Sequence, residues 1–273
     1  MIYEKQSGVP KFECYEFEQK HSDYALLIPV INEGDRILKE LKRARRYQVG
    51  SMADIVICDG GSEDGSMEHD RLKKLGVNTL LVKQDIGKQG AQLRMGIWWA
   101  LKRGYHGIIT IDGNNKDSIE DVPRFIEKLR EGYGFVQGSR FVKGGRAVRT
   151  PLARLLAVRL IHAPVISLTA GHLFTDTTNG YRGYSSEYLS DPQVDPLRDV
   201  FMTYELLAYL SARATRLGYR ACEVPVTRAY PKTGRVPTKI SFLKGNLELF
   251  RILILNFLGA YTPSREKVSR IDV

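Results

Sequence analysis

The sequence predicts an α/β protein built on a doubly wound, mostly parallel β-sheet. Short apolar runs without polar alternation, at residues 25–30 and 54–58, are typical of strands that are buried on both faces of a sheet. Segments with apolar residues at helical spacing follow these runs, the first of them at residues 36–47. Because strands and helices alternate with short loops between them, parallel strands joined by right-handed crossovers are favoured.

The same patterns assign the remaining elements in chain order. Asp35 is expected to cap the first helix. No linker divides the chain, so residues 1–273 are interpreted as one domain, with a core at about 24–240 and a C-terminal amphipathic helix and tail at 241–273. Helices are expected after the turn at 59–66, ending at about residue 75, and at 87–104, 119–131 and 203–217. Further strands are expected at 78–83, 107–111 and 220–226, and a turn followed by a strand at 176–184.

The positive charge of the chain is concentrated in two segments. Lys and Arg number 41 against 31 Asp and Glu, which gives a net charge of +10. Residues 139–174 and 224–247 contain no acidic residue, and their 11 basic residues account for the whole excess. Such segments predict nearby phosphate groups, in a lipid head group or a small ligand. Nucleic acid is disfavoured as a partner, because no zinc-finger spacing, RNA-recognition signature or interleaved aromatic residues are present.

Two apolar segments lie beside these charges, at residues 152–174 and 242–261. Polar residues interrupt both, so neither is expected to span a membrane. Both are compatible with a position in the membrane interface, with basic residues towards lipid phosphates, or with packing on the protein's own core. Residues 1–23 are polar and do not resemble a signal peptide, which predicts a protein on the cytoplasmic face of the membrane.

Polar residues follow the predicted strands, where parallel sheets bind their ligands. Asp59 begins a glycine- and serine-rich turn whose carboxylates could accept hydrogen bonds from a nucleoside. Asp112 and Asn114 offer oxygen ligands for Mg²⁺ or Mn²⁺ beside a diphosphate. Lys88 stands in a short glycine-flanked segment before a helix, which predicts a phosphate contact.

Several of these segments together resemble the family 2 glycosyltransferases of the GT-A fold, and within them dolichol-phosphate mannosyltransferase and the polyprenyl-phosphate glycosyltransferases. The matching segments occur in the family's order over about residues 24–245. They are LIPVINEG at 27–34, DGGSEDGS at 59–66, GKQGAQLRMG at 87–96, IDGNNKDSIEDVP at 111–123, GSRFVKGG at 138–145, DTTNGYR at 176–182 and residues 223–239.

The resemblance implies a role for each matching residue. Asp112 matches the first carboxylate of the metal-binding Asp-X-Asp motif, and Asp176 lies in the sugar and acceptor pocket, so both are catalytic candidates together with Arg140. The donor nucleotide-sugar would contact Pro29, Asn32, Glu33, Asp59, Lys88, Asp112 and Asn114, and the acceptor phosphate would contact Arg140, Arg154, Arg182 and Lys239.

Three positions depart from the family's pattern. Gly60 replaces the second aspartate of the first acidic motif, and Asn114 replaces the second aspartate of Asp-X-Asp. Lys116 stands where this branch often has a glutamine ligand, and an ammonium group repels a cation. Two interpretations follow: Asp117 completes a Mg²⁺ or Mn²⁺ site, or Lys116 itself neutralises the diphosphate.

The function that the resemblance implies is inverting transfer of one sugar from a UDP- or GDP-sugar to an isoprenoid phosphate at the membrane surface. The main alternative is transfer to a sugar hydroxyl, which needs a general base, for which Asp176 is the candidate. A nucleotidyltransferase would carry basic residues directly after the first strand, where residues 31–34 have none. A non-catalytic membrane-binding module is a further alternative from a different class.

Overall fold

A computed structural model describes residues 1–231 and 244–264 of the chain. Its centre is a nine-stranded sheet in the order β1-β2-β5-β4-β3-β6-β9-β7-β10, with a separate two-stranded sheet formed by β11 and β8. The strands are β1 (Ile2–Tyr3), β2 (Phe12–Glu16), β3 (Tyr24–Val30), β4 (Asp54–Asp59), β5 (Thr79–Lys83), β6 (Gly107–Thr110), β7 (Phe135–Ser139), β8 (Arg146–Val148), β9 (Arg182–Ser185), β10 (Ala221–Pro225) and β11 (Thr227–Ala229).

The predicted α/β class and mostly parallel sheet are confirmed. The strands β5, β4, β3 and β6 pair in parallel, and so do β7 and β10. Two strands run in the opposite direction: β2 pairs antiparallel with β5, and β9 lies antiparallel between β6 and β7. The start of β9 therefore lies at the same edge of the sheet as the carboxyl ends of its neighbours. This edge carries the candidate site.

Helices cover both faces of the sheet, because the central strand β3 directs apolar side chains alternately to one face and to the other. Leu26 and Ile28 of β3 pack in one core with α1, α2 and α4, whereas Ala25 and Leu27 pack in the other with α3, α6, α8 and α9. The helices are α1 (Asp35–Arg46), α2 (His69–Lys74), α3 (Gln89–Lys102), α4 (Val122–Arg130), α5 (Leu152–Ala157), α6 (Ala163–Ala170), α7 (Ser186–Ser190), α8 (Glu205–Arg216) and α9 (Lys244–Phe257).

The start of α1 differs from the prediction. Asp35 was expected to cap this helix, but it is the first helical residue, and Gly34 occupies the cap position with φ 54°. The Gly34 N–H donates to Asp64 Oδ2 at 2.7 Å. The Asp64 carboxylate, in the turn after β4, thus binds the residue that precedes α1, so this turn and the start of the helix are connected.

The first predicted apolar segment forms a continuous helix of 19 residues, Leu152–Ala170. It combines α5, a π-helical turn at Val158–His162 and α6. Pro164 accounts for the irregular turn, because proline lacks an N–H and collides with the carbonyl one turn earlier. By length and composition alone this helix could cross a membrane, and only 17% of its apolar window is buried. That is weak support for a span, because the helix is interrupted by polar residues.

Both apolar segments pack on the protein and also expose apolar side chains. In α9, Ile252 and Leu253 are buried in the core, and α6 packs against both α8 and α9. The opposite surfaces of these helices carry exposed apolar side chains: Leu152, Leu156, Leu160, Ile161 and Leu168 on the first helix, and Leu247, Phe250, Ile254, Phe257 and Leu258 on or just after α9. We call these ten residues the exposed apolar surface.

Candidate active site

Asp112 lies at the centre of the strand-end edge, directly after β6. Its Oδ2 accepts a hydrogen bond from Arg228 Nη2 at 3.0 Å, and its Oδ1 accepts one from Gln89 Nε2 at 3.1 Å. A Cβ on Gly180 would stand 2.5 Å from Asp112 Oδ1, so a larger residue here would force the Asp112 carboxylate to shift. Burial alone would raise the pKa of Asp112, but Arg228 and Lys116 outweigh burial and hold the pKa below its ordinary value. The carboxylate is therefore ionised at neutral pH.

Arg228 connects two carboxylates at this position. Besides Asp112, its guanidinium contacts Asp117 Oδ2, and its Nη1 lies 3.3 Å from Asn179 Oδ1. Asp117 is fully buried, whereas the side chain of Asp112 is 21% exposed. The guanidinium therefore occupies the space between two acidic side chains.

A cluster of basic side chains surrounds Tyr230, immediately beyond β11. Arg154 Nη1 donates to the Tyr230 hydroxyl at 2.9 Å, Arg149 Nε donates to its carbonyl at 2.7 Å, and Lys116 Nζ lies 5.3 Å from the centre of its ring. Burial would raise the pKa of Tyr230, but Arg228, Arg154 and Lys116 together lower it. We call Tyr230, Arg149, Arg154, Lys116 and Arg228 the Tyr230 cluster. Arg154 is a predicted contact of the acceptor phosphate and Lys116 is the predicted alternative to the metal ion, whereas Arg149 and Arg228 were counted only in the basic segments and Tyr230 was not predicted.

Arg140 and Asp176 form a buried ion pair at the same edge. Arg140 Nε and Nη2 donate to the two carboxylate oxygens of Asp176 at 2.6 and 2.8 Å, and Nη2 also donates to Thr178 Oγ1 at 3.0 Å. The side chains are only 2% and 0% exposed. Glu223 supports the pair from β10 by accepting the backbone N–H groups of Thr175 and Asp176. The acceptor and catalytic roles of Arg140 and Asp176 stay predictions, and each is already engaged by the other.

Predicted nucleoside-binding residues lie in two adjacent segments, one after β3 and one at the end of β4, which are joined by hydrogen bonds. Asp59 is buried and accepts the N–H groups of Gly61 and Ser62 at 3.0 and 2.9 Å, so its carboxylate shapes the turn. Asn32, with φ 49°, receives the Glu63 N–H on its side-chain oxygen at 2.9 Å. These contacts bring Asn32 and Asp59 together as predicted, although a contact with a nucleoside stays a prediction.

The other donor-binding candidates lie along the same edge. Pro29 pairs with Cys58 inside the sheet, and Glu33 accepts a hydrogen bond from Arg36 at 2.6 Å. Lys88 precedes α3 with an exposed side chain, but its backbone N–H is donated to the Met202 carbonyl at 2.9 Å. The predicted phosphate contact would therefore have to come from its side chain, and it stays a prediction.

One candidate for the acceptor phosphate, Arg182, does not join the site. Arg182 is buried, and its guanidinium donates to the carbonyls of Thr177, Asn179 and Leu207 beneath the sheet edge, which favours a structural role. Lys239 lies outside the described residues.

The residues at Asp112 do not fit a divalent metal ion as they are arranged. Both oxygens of Asp112 are engaged, and two cations, Arg228 and Lys116, stand where a metal ion would need further oxygen ligands. In residues 1–231 and 244–264, no group of three or more His, Cys, Asp or Glu side chains is arranged to hold a metal ion. Asn114, the other predicted ligand, is half-buried, and its side-chain oxygen faces the Lys116 N–H at 3.3 Å.

Sequence reasoning missed several residues that organise this edge. Arg228 was counted in a basic segment, but its pairing with Asp112 was not foreseen. Gln92 joins the ends of β3 and β4 by donating to the Val30 and Cys58 carbonyls at 2.6 and 2.8 Å. A Cβ on Gly60 would approach Gln92 Nε2 to 3.0 Å, which explains the glycine in place of the family's second aspartate.

The chain is similar in sequence to several curated proteins whose names refer to polyprenyl- or dolichyl-phosphate sugars. No protein-family model matches the chain. The undecaprenyl-phosphate mannosyltransferase of Micrococcus luteus is 29% identical over 204 residues, which are 74% of this chain and 81% of the relative. The dolichyl-phosphate hexose transferase of Haloferax volcanii is 27% identical over 210 residues, covering 77% of this chain and 84% of the relative. The polyprenol monophosphomannose synthase of Mycolicibacterium smegmatis is 26% identical over 205 residues, with coverage of 74% and 76%.

Solved structures share the fold at lower sequence identity. Glucosyl-3-phosphoglycerate synthase from Mycobacterium tuberculosis, in complex with Mn²⁺, UDP and phosphoglyceric acid, matches with a TM-score of 0.60 and 17% identity. The match covers 89% of this chain and 80% of that one. A complex of the same synthase with Mn²⁺, UDP-glucose and phosphoglyceric acid matches with a TM-score of 0.59 over 91% of this chain and 80% of that one. At this identity the match supports the fold alone.

Proposed function

Because the chain belongs to the family 2 glycosyltransferases of the GT-A fold, we propose that it transfers a sugar from a nucleoside diphosphate to a polyprenyl phosphate. The three relatives described above are named for such acceptors: undecaprenyl phosphate, polyprenol phosphate and dolichyl phosphate. The proposal places the donor at Asp59 and Asp112, with its diphosphate beside Arg228 and Lys116, and places the acceptor phosphate at Arg149 and Arg154 of the Tyr230 cluster.

One observation carries the choice of acceptor: a cluster of basic side chains stands at the start of an exposed apolar helix. Arg154 belongs to the Tyr230 cluster and also to α5. In the continuous helix Leu152–Ala170, which α5 begins, Leu152 and Leu160 are 68% and 69% exposed. A polyprenyl phosphate has this combination of an anionic head and a long apolar chain. The exposed apolar surface would rest in the membrane interface, where such a lipid is found.

The chemistry of the reaction agrees with the side chains present. A phosphate acceptor is ionised at neutral pH, so it needs cations that bind and orient it and no strong general base. Transfer to a sugar hydroxyl would need such a base, and Asp176 was the candidate. Both oxygens of Asp176 accept hydrogen bonds from Arg140, and the carboxylate is fully buried. This arrangement favours the phosphate acceptor over the hydroxyl acceptor.

Departure of the nucleoside diphosphate places negative charge on its β-phosphate. Fixed positive groups that face this charge lower the barrier most when they are oriented before the reaction begins. Arg228 and Lys116 stand beside Asp112, where the proposed donor diphosphate would lie. The solved neighbours hold UDP or UDP-glucose, and the base and sugar used by this chain are left to a donor screen.

The experiment that tests the proposal is product formation with defined substrates. The purified full chain is incubated with UDP- or GDP-sugars and with vesicles containing a polyprenyl phosphate, and the lipid product is identified by mass spectrometry. We expect a polyprenyl-phosphate sugar from at least one donor, and its loss in Asp112→Asn. Product with a sugar acceptor and none with polyprenyl phosphate would refute the proposed acceptor. Absence of both donor hydrolysis and a donor-induced thermal shift would instead indicate a non-catalytic module.

A further inference from the structure

We infer that Arg228 and Lys116 act as a built-in cation for the donor diphosphate, so that nucleotide binding does not require a divalent metal ion. The inference rests on the proposed function, because it assumes a nucleoside-diphosphate donor at Asp112. It goes further by naming the group that neutralises the diphosphate. The argument depends on geometry, rigidity and charge at one position.

The geometry places a guanidinium where an ion bridging two carboxylates would stand. Arg228 Nη2 lies 3.0 Å from Asp112 Oδ2, and Arg228 Nη1 contacts Asp117 Oδ2. Asp112 is the carboxylate that the family's metal motif would supply first. Its second oxygen is held by Gln89 at 3.1 Å. A metal ion at Asp112 would therefore have to share both carboxylate oxygens with Arg228 and Gln89.

The backbone makes Arg228 a fixed part of this arrangement. Residues 116–118 and 227–229 are joined by main-chain hydrogen bonds, from the Ala229 N–H to the Lys116 carbonyl at 2.8 Å and from the Ser118 N–H to the Thr227 carbonyl at 2.9 Å. Asp117 and Arg228 form an antiparallel bridge between these two segments. The cation is therefore oriented before any ligand arrives, which reduces the cost of binding a phosphate.

The local charge also favours an anion over a second cation. Asp112 and Asp117 are matched by Arg228 and Lys116, and the Tyr230 cluster adds Arg149 and Arg154. A divalent cation at Asp112 would lie beside the Arg228 guanidinium and would be repelled by it. A diphosphate approaching the 21% exposed Asp112 meets the surrounding excess of positive charge instead.

The test measures binding of UDP and GDP to the full chain by isothermal titration calorimetry, after treatment with EDTA and again with added Mn²⁺. We expect at least one nucleotide to bind without metal, with a Kd that changes less than about 3-fold when Mn²⁺ is added. Arg228→Gln should raise the Kd by about 10-fold or more, because it removes a charge-assisted contact. Arg130→Gln, an exposed charge at the far end of α4, should leave the Kd unchanged.

A second variant tests the same idea in the opposite direction. Asn114→Asp combined with Lys116→Gln restores the family's acidic pattern and removes one cation. Its nucleotide binding should become dependent on Mn²⁺. Because Arg228 is buried, its variant could lose its fold, but the metal dependence of the unaltered chain decides the question without it.

The outcomes separate the inference from the proposed function. Binding by the unaltered chain only in the presence of Mn²⁺ would overturn the inference and leave the glycosyltransferase proposal standing. A folded Arg228→Gln protein that binds the nucleotide as tightly as the unaltered chain would also overturn it. Failure of both nucleotides to bind under either condition would overturn the donor class, and the inference with it.

Discussion

Replacing Arg140 by alanine tests whether its ion pair with Asp176 is a structural element. Three hydrogen bonds join the two residues: Nε and Nη2 donate to the carboxylate at 2.6 and 2.8 Å, and the Arg140 N–H donates to it at 3.2 Å. Both side chains are almost completely excluded from water. Arg140→Ala would leave the Asp176 carboxylate buried with most of its partners removed.

The expected magnitude follows from this burial. Removing one partner of a buried ion pair destabilises a protein by about 3–5 kcal/mol, because the remaining charge is uncompensated. For a chain of this size, about 1 kcal/mol lowers the Tm by roughly 2 °C, so Arg140→Ala should lower the Tm by about 6–10 °C. Arg159→Ala, which removes an exposed arginine from the same region of the chain, should lower it by less than about 2 °C.

Differential scanning calorimetry of four proteins measures this effect: the unaltered chain, Arg140→Ala, Asp176→Ala and the double variant. The double variant should be clearly less destabilised than the sum of the two single variants, because it leaves no unpaired charge. Additive effects, or a Tm of Arg140→Ala within about 2 °C of the unaltered chain, would refute the reasoning. In that case Arg140 would be available for the acceptor phosphate, as the sequence predicted.

Three further predictions concern other parts of the molecule. Gly180→Ala should lower kcat/KM by about 10-fold or more in the product assay while the circular dichroism spectrum is retained, because its Cβ would stand 2.5 Å from Asp112 Oδ1; an unchanged rate would contradict this. The Gly50 carbonyl and the Asp54 carboxylate raise the pKa of His21, so its protonated form stabilises the fold. The stabilisation by protonated His21 should be complete below about pH 6.5 and lost as the pH rises through the raised pKa. The Tm difference between the unaltered chain and His21→Gln should therefore shrink at high pH. A Tm difference that stays constant with pH would disprove this role of His21. Leu160→Asp should reduce co-sedimentation with anionic vesicles, whereas Ile2→Asp, an exposed apolar residue in β1, should not; equal binding by both would remove Leu160 from the membrane surface.

The parallel centre of the sheet could be predicted because burial on both faces leaves a clear pattern. Each of β3 and β4 is almost wholly buried, and this produces the uninterrupted apolar runs seen in the sequence. The strand β2 was not predicted, because it lies near the sheet edge and has no uninterrupted apolar run: Phe12 and Cys14 are buried, whereas Glu16 is exposed. The strands β1 and β8 have two and three residues, too few to show any period.

The site was predictable where its residues follow buried strands and unpredictable where partners come from distant segments. Asp59 is the last residue of β4 and Asp112 comes two residues after β6, so the topology alone brings them to one edge. Arg228 and Asp112 are 116 residues apart, and their contact depends on the small sheet of β8 and β11. No local period in the sequence encodes such a pairing. The sequence showed that Arg228 belongs to a basic segment, but it did not show that Asp112 is its partner.

The two arginine–carboxylate pairs share a property that bears on how the proposed reaction is organised. Each arginine is oriented by a carboxylate before a ligand arrives, so the charges are fixed in position and balanced in the absence of substrate. Tyr230 lies between the proposed donor and acceptor regions, because its ring faces Lys116 and its hydroxyl contacts Arg154. A single aromatic side chain therefore contacts both a cation assigned to the donor and a cation assigned to the acceptor. Two phosphate groups can then bind close together, each next to its own positive charge, which is the requirement that sugar transfer between two phosphates imposes.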